Sequence, residues 1–152
     1  VCMGGGVGLS VHGSFRIATE RTLVGMPETT IGLFPDVGGA WVLSRLPGEM
    51  GTYLALTGQP VHAGDCFSLG IATHLVASSS LDELEDNIVR LEPQKISFKT
   101  IDDLLKKYSI AMGETPVTDL RPQIDSCFAE DSIEQIIENL KKQDMLQQAT
   151  NI

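Results

Sequence analysis

Residues 1–10 read Val-Cys-Met-Gly-Gly-Gly-Val-Gly-Leu-Ser. The apolar opening predicts the end of a buried strand and the triple glycine a turn. Val7, Leu9 and Val11 predict a short helix that is over by residue 13. A glycine turn that opens a helix presents unbonded N–H groups at the positive end of the helix dipole. Such groups can hold a phosphate, or the oxyanion formed when a carbonyl is attacked. The same turn can also do no more than pack helix against sheet, so the glycines alone leave both readings open.

The next stretch able to carry chemistry is 26–39, Met-Pro-Glu-Thr-Thr-Ile-Gly-Leu-Phe-Pro-Asp-Val-Gly-Gly. Glu28 and Asp36 are its acids, among apolar and turn-forming residues. Each follows a proline, which fixes its own φ and biases the residue before it toward an extended conformation. Acids so placed are either solvated loop carboxylates or a pair held on stiff turns at the mouth of a pocket. Partial burial would raise a carboxylate's pKa and suit it to general acid–base work, while an ionised one could act as a nucleophile.

Between these stretches, 14–18 and 21–24 read as short strands around Thr19-Glu20. Beyond them, 38–46 reads as a short helix with Arg45 near its end, broken by Pro47-Gly48. A helix over 50–57 stops at Gly58, another over 63–69 ends at Gly70, and 71–76 is a strand or extended connector. From Ser78 the texture changes to acidic amphipathic helices. One covers 81–91, with Leu81, Leu84, Ile88 and Leu91 on one face; others cover 101–108 and 132–143, the latter carrying Ile133, Ile136, Ile137 and Leu140. Residues 109–122, with Pro116 and Pro122, read as a linker. The chain opens as if entered midway through a strand–turn–helix unit, and 147–152 reads as cut rather than capped.

A chain of 152 residues, 42% hydrophobic and 20% charged, suits one domain with a proper core. The net charge of −9 speaks against nucleic acid and anionic membranes as partners. No apolar run has the length that a bilayer crossing needs. An anionic small ligand remains compatible, because a few basic groups and backbone N–H donors suffice locally. Cys2, Cys66 and Cys127 are far apart and read as reduced, structural thiols. His12, His62 and His74 stand in no ligand spacing and read as helix-end or packing residues, so no metal is expected. Trp41 and Tyr53 are assigned to core packing.

Taken together, Met-Gly-Gly-Gly-Val-Gly-Leu-Ser at 3–10, Met-Pro-Glu-Thr at 26–29 and Gly-Leu-Phe-Pro-Asp-Val-Gly-Gly at 32–39 resemble the crotonase superfamily of CoA-thioester enzymes. Leu-Thr-Gly at 56–58 and Gly-Ile-Ala-Thr-His at 70–74 extend the match. The likeness is greatest to its 3-hydroxyisobutyryl-CoA hydrolase branch. The resemblance implies an α/β fold, a spiral of ββα units of which 1–77 would be the later turns, followed by a helical segment over 78–152. It implies an acyl-CoA substrate, with CoA part of that substrate and no separate cofactor, a mitochondrial matrix setting, and catabolism of valine. Homo-oligomerisation stays open.

The resemblance also implies roles. The Gly5 N–H, within the turn Gly4–Gly6, would be one of two donors to the thioester oxyanion, and Glu28 and Asp36 would be the active-site acids. Which acid attacks or activates water, and which orients the substrate hydroxyl, is open. The second donor and much of the CoA site would fall upstream of Val1, so the segment alone is expected to be inactive and poorly stable. Hydratases of the superfamily place a second catalytic glutamate where Gly8 stands here, which counts against hydration. The alternatives are a dienoyl-CoA or enoyl-CoA isomerase, and a non-catalytic binding protein of the same fold.

Overall fold

A computed structural model describes residues 1–143 and 145; the reading of 147–152 as a cut end lies outside the described residues. The strands are short and built from the apolar runs of the first half. β1 (Cys2–Met3), β3 (Leu23–Gly25) and β4 (Val61–His62) form one sheet in the order β1-β3-β4. β1 and β3 are parallel, with Cys2 opposite Val24 and Met3 opposite Gly25, whereas β3 and β4 are antiparallel. β2 (Ile17–Ala18) pairs in parallel with β5 (His74–Leu75) in a second sheet. The strands around Thr19-Glu20 therefore belong to different sheets. Parallel pairing requires crossovers, and these are supplied by helices, as in other ββα and βαβ windings.

Helices α1 (Gly5–Ser10), α2 (Gly39–Leu43), α3 (Met50–Thr57) and α4 (Ala63–Ser68) fall where glycine, proline and apolar spacing place them. α5 (Leu81–Val89), α6 (Phe98–Lys107) and α8 (Ile133–Lys142) match the acidic amphipathic segments. Ser97 and Ser132 cap α6 and α8 by accepting the Thr100 and Gln135 N–H groups, and lysines close both helices at the negative end of the dipole.

The stretch read as a linker differs from expectation at its end and in its middle. Its last residues start α7 (Arg121–Phe128), in which Pro122 occupies the first turn, where a missing N–H costs nothing. Its middle is anchored: the buried Asp65 carboxylate accepts the Val117 N–H at 3.4 Å and the Thr118 N–H and hydroxyl at 2.7 Å each. A buried carboxylate supplied with three donors holds the segment on α4 as firmly as regular structure would.

One core spans the early and late parts of the chain. Met50, Tyr53 and Leu54 of α3 meet Ile124, Cys127 and Phe128 of α7 and Ile136 and Leu140 of α8. Tyr53 and Phe128 stack edge to face at 5.3 Å. A smaller core joins Val76, Leu84 and Leu105. Tyr53 is thus a core residue as expected. Trp41 is not: it is 56% exposed and lies beneath the Arg45 guanidinium, 3.8 Å from its ring centroid. Its helix packs on α3 through the opposite face, and the polar head of Arg45 covers the indole instead.

Candidate active site

The parallel pairing of β1 with β3 creates the site. Carboxyl ends of paired parallel strands lie side by side, so the residues after β1 neighbour those after β3. The Gly4 N–H donates to the Gly25 carbonyl at 3.0 Å, which sets the glycine turn against Met26-Pro27-Glu28. Pro27 opens a 3-10 turn over Pro27–Ile31 and thereby fixes where Glu28 points.

Glu28 is 8% exposed, and its Oε1 lies 2.7 Å from where a Cβ on Gly4 would stand. With φ of +49° at Gly4, glycine is needed there for both conformation and space. Among the described residues nothing hydrogen-bonds to Glu28 Oε2 or Thr29 Oγ1, although both atoms are buried. Leaving a buried polar group unpaired costs about 1–3 kcal/mol, more when it is charged, so native proteins retain few.

Gly5 and Gly6 are the first residues of α1, both exposed, and their N–H groups have no intrahelical acceptor. Asp36 is exposed and does not share the burial of Glu28. Its backbone segment, however, lies on the same helix. A Cβ on Gly8 would come within 2.6 Å of both Val37 Cγ2 and the Val37 carbonyl oxygen, and one on Gly38 within 3.2 Å of His12 Nε2. Gly4 and Gly8 are one helical turn apart, whereas His12 lies just past the end of α1. The fold therefore brings Glu28 against Gly4, at the head of the glycine turn, and seats the Asp36 loop on Gly8 of the helix that follows. Val37 has φ of +45°, the one positive φ outside glycine among the described residues. No sequence signal marks it beyond the Pro35 and Gly38-Gly39 that flank it.

A second polar cluster joins residues that sequence spacing does not pair. Buried His74 on β5 contacts Thr73 Oγ1 at 2.9 Å through Nδ1 and Asp102 Oδ1 of α6 at 3.2 Å through Nε2. Lys106 lies 2.5 Å from Asp102 Oδ2, and its hydrogen bond, ahead of that from His74, holds the Asp102 carboxyl below its ordinary range. Burial, reinforced by the neighbouring Asp65, pushes the Cys66 thiol up to about 12. It is therefore a protonated core residue and no nucleophile.

The sequence matches the enoyl-CoA hydratase/isomerase family along residues 1–152. The chain belongs to that family. Among curated family relatives, the mitochondrial 3-hydroxyisobutyryl-CoA hydrolase of Xenopus laevis is 48% identical over 144 residues, covering 93% of this chain and 37% of that protein. The Homo sapiens protein of the same name is 46% identical over 148 residues, covering 93% and 38%. The chain thus spans less than two fifths of the length of these relatives. Among solved structures, a carnitinyl-CoA dehydratase from Mycobacterium thermoresistibile superposes with a TM-score of 0.88 at 34% identity, over 99% of this chain and 43% of that one. An enoyl-CoA hydratase from Rhodobacter sphaeroides gives 0.74 at 35%, over 91% and 37%. The crotonase-like α/β fold expected from the glycine turn and the two acidic loops is borne out.

Proposed function

We propose that the protein containing this chain hydrolyses 3-hydroxyisobutyryl-CoA, or a similar short β-hydroxyacyl-CoA, in the mitochondrial matrix as a step of valine breakdown. The observation that carries this reading is the buried Glu28 carboxylate, with Oε2 unpartnered among the described residues, held against a glycine turn whose Gly5 and Gly6 N–H groups have no intrahelical acceptor. The 46–48% identity to 3-hydroxyisobutyryl-CoA hydrolases over 93% of this chain supports the choice of thioester.

The thioester carbonyl would rest on the Gly5 N–H, which stabilises the oxyanion as it forms. One such donor is worth about 2.7–4 kcal/mol in a protease where it was removed. Gly4 and Gly6 shape the turn and allow that close approach. Glu28 would attack the carbonyl directly or take a proton from an attacking water. The C–S bond breaks as the tetrahedral intermediate collapses, and the CoA sulfur leaves and is protonated. Asp36, on the neighbouring loop, would orient the 3-hydroxyl or relay that proton. In the direct route water then cleaves the mixed anhydride and returns the Glu28 carboxylate. No metal or redox cofactor enters this scheme.

The two solved relatives carry the names of a dehydratase and a hydratase, which makes a lyase the second reading. Reversible addition of water to a double bond calls for a second acid on the glycine-turn helix. Gly8 has none to offer. The test is CoA thiol release from 3-hydroxyisobutyryl-CoA by the full-length protein and its Glu28→Gln variant. Release that collapses in the variant supports the hydrolase; absence of thiol from wild type, with turnover of an unsaturated acyl-CoA, supports the lyase.

A further inference from the structure

The contact between Gly8 and Val37 has no part in the chemistry just described, yet it brings the Asp36 loop directly onto α1. Three observations set it apart. A side chain at position 8 would meet Val37 at Cγ2, at Cβ and at its carbonyl oxygen, all within 2.7 Å. Val37 holds φ of +45°, a region that β-branched residues avoid, although its side chain is 48% exposed and buries little in exchange. The loop is closed on either side, by the Gly39 N–H donating to the Asp36 carbonyl at 2.6 Å and by Gly38 lying against His12. Backbone strain of this kind persists where the surroundings over-determine it, and it collects at functional sites.

We infer that Val37 seated on Gly8 is a positioning device for Asp36: the bare Cα of Gly8 lets the loop descend onto α1, and the strained Val37 fixes its height relative to Glu28. Any side chain at position 8 would collide with the loop as it is seated here. The inference rests on the hydrolase reading for its kinetic readout and not for its structural one.

The experiment compares wild type, Gly8→Ala, Val37→Gly, the double variant and Gly8→Ala in an Asp36→Asn background, all in the full-length protein. Two quantities are read: kcat and KM for thiol release, and hydrogen exchange of the backbone over 34–42. Alanine favours helix at position 8, so the Gly8→Ala fold is not at risk from propensity. Gly8→Ala is expected to lower kcat about ten- to a hundredfold, the range for a misplacement of about 1 Å, with KM little changed. It should also accelerate exchange at Gly39. Removing the Val37 side chain in the double variant should recover part of both effects, because the Cβ and Cγ2 collisions are gone. In the Asp36→Asn background Gly8→Ala should cost nothing further, a coupling that a merely structural glycine would not show. Unchanged kcat and exchange in Gly8→Ala would overturn the inference, as would full additivity with Asp36→Asn. If wild type releases no thiol, the hydrolase reading falls, while the exchange data still decide whether Val37 seats the loop.

Discussion

Glu28 and Asp65 are both buried acids of the early part of the chain, and their surroundings are opposite. Asp65 is fully buried, and its two oxygens take the Val117 N–H, the Thr118 N–H and the Thr118 hydroxyl. Glu28 sits against the bare Cα of Gly4 with one oxygen left unpartnered among the described residues. The first arrangement spends its hydrogen bonds on holding two stretches of chain together. The second leaves a buried carboxylate oxygen without a donor, at a cost in stability. Burial alone therefore does not distinguish a structural acid from a chemical one. On the proposed mechanism, the number of donors already committed to it does.

The largest expected effect breaks the pair apart by activity. Glu28→Gln in the full-length protein should lower thioester hydrolysis by about 10²–10⁴-fold, the range for loss of general acid–base catalysis. Its melting midpoint should hold or rise, since the substitution removes an unpaired buried charge. A variant that melted well below wild type would place Glu28 with Asp65 as a structural acid. Asp65→Ala should do the reverse, costing about 3 kcal/mol in urea unfolding because three donors lose their acceptor. Asp65→Asn should fall between: it keeps one acceptor oxygen for Thr118 and turns an amide donor toward the Val117 N–H. A loss under about 0.5 kcal/mol in Asp65→Ala, the scale of an ordinary surface change, would show the clamp to be incidental.

Cys66, next to Asp65, extends the contrast to pH. Its thiol is raised from the ordinary 9.0 to about 12, chiefly by burial. The unfolded chain loses this proton above pH 9 while the native state keeps it, so the associated stability is intact below pH 9 and drains away between 9 and about 12. Cys66→Ala should flatten that alkaline decline. At pH 8 a thiol reagent should label Cys2, which is partly exposed, well ahead of Cys66 and Cys127, which are buried.

Much of the helical framework was legible because its signals are local. α3 and α4 end where Gly58 and Gly70 stand and α8 follows Ser132, whereas α6 opens at Phe98, three residues ahead of the expected 101, behind a Ser97 cap. α7 was hidden by Pro122, which reads as a breaker unless the chain is known to enter a helix at that point. β4, which directly follows Pro60 and has two residues, is too short for alternation to show. The glycine turn and both acidic loops were legible as motifs. That Glu28 folds back onto Gly4 depends on the parallel register of β1 with β3, a pairing across more than twenty residues that no local pattern encodes. The strained φ of Val37 and the union of His74 with Asp102 are tertiary in the same sense.

The His74–Asp102 pair gives the smallest effect and tests whether partner number also grades acids nearer the surface. Asp102 is answered by Lys106 on its own helix and by His74 across the gap to β5, and the lysine bond is the chief cause of its lowered pKa. For a carboxyl whose folded pKa is depressed, the stabilising contribution is complete above the unfolded value, 3.8, and is lost as pH falls through the folded one. Asp102→Asn should therefore lower the melting midpoint slightly at pH 7, by a difference that shrinks as pH falls below 3.8 and through the depressed folded pKa. Lys106→Met should remove most of the acid sensitivity, because the main partner is gone, while leaving the contact of α6 with His74 in place. If instead His74→Gln removes it and Lys106→Met does not, the bond across the gap governs Asp102, and α6 is held to the sheet by the histidine rather than by its apolar face.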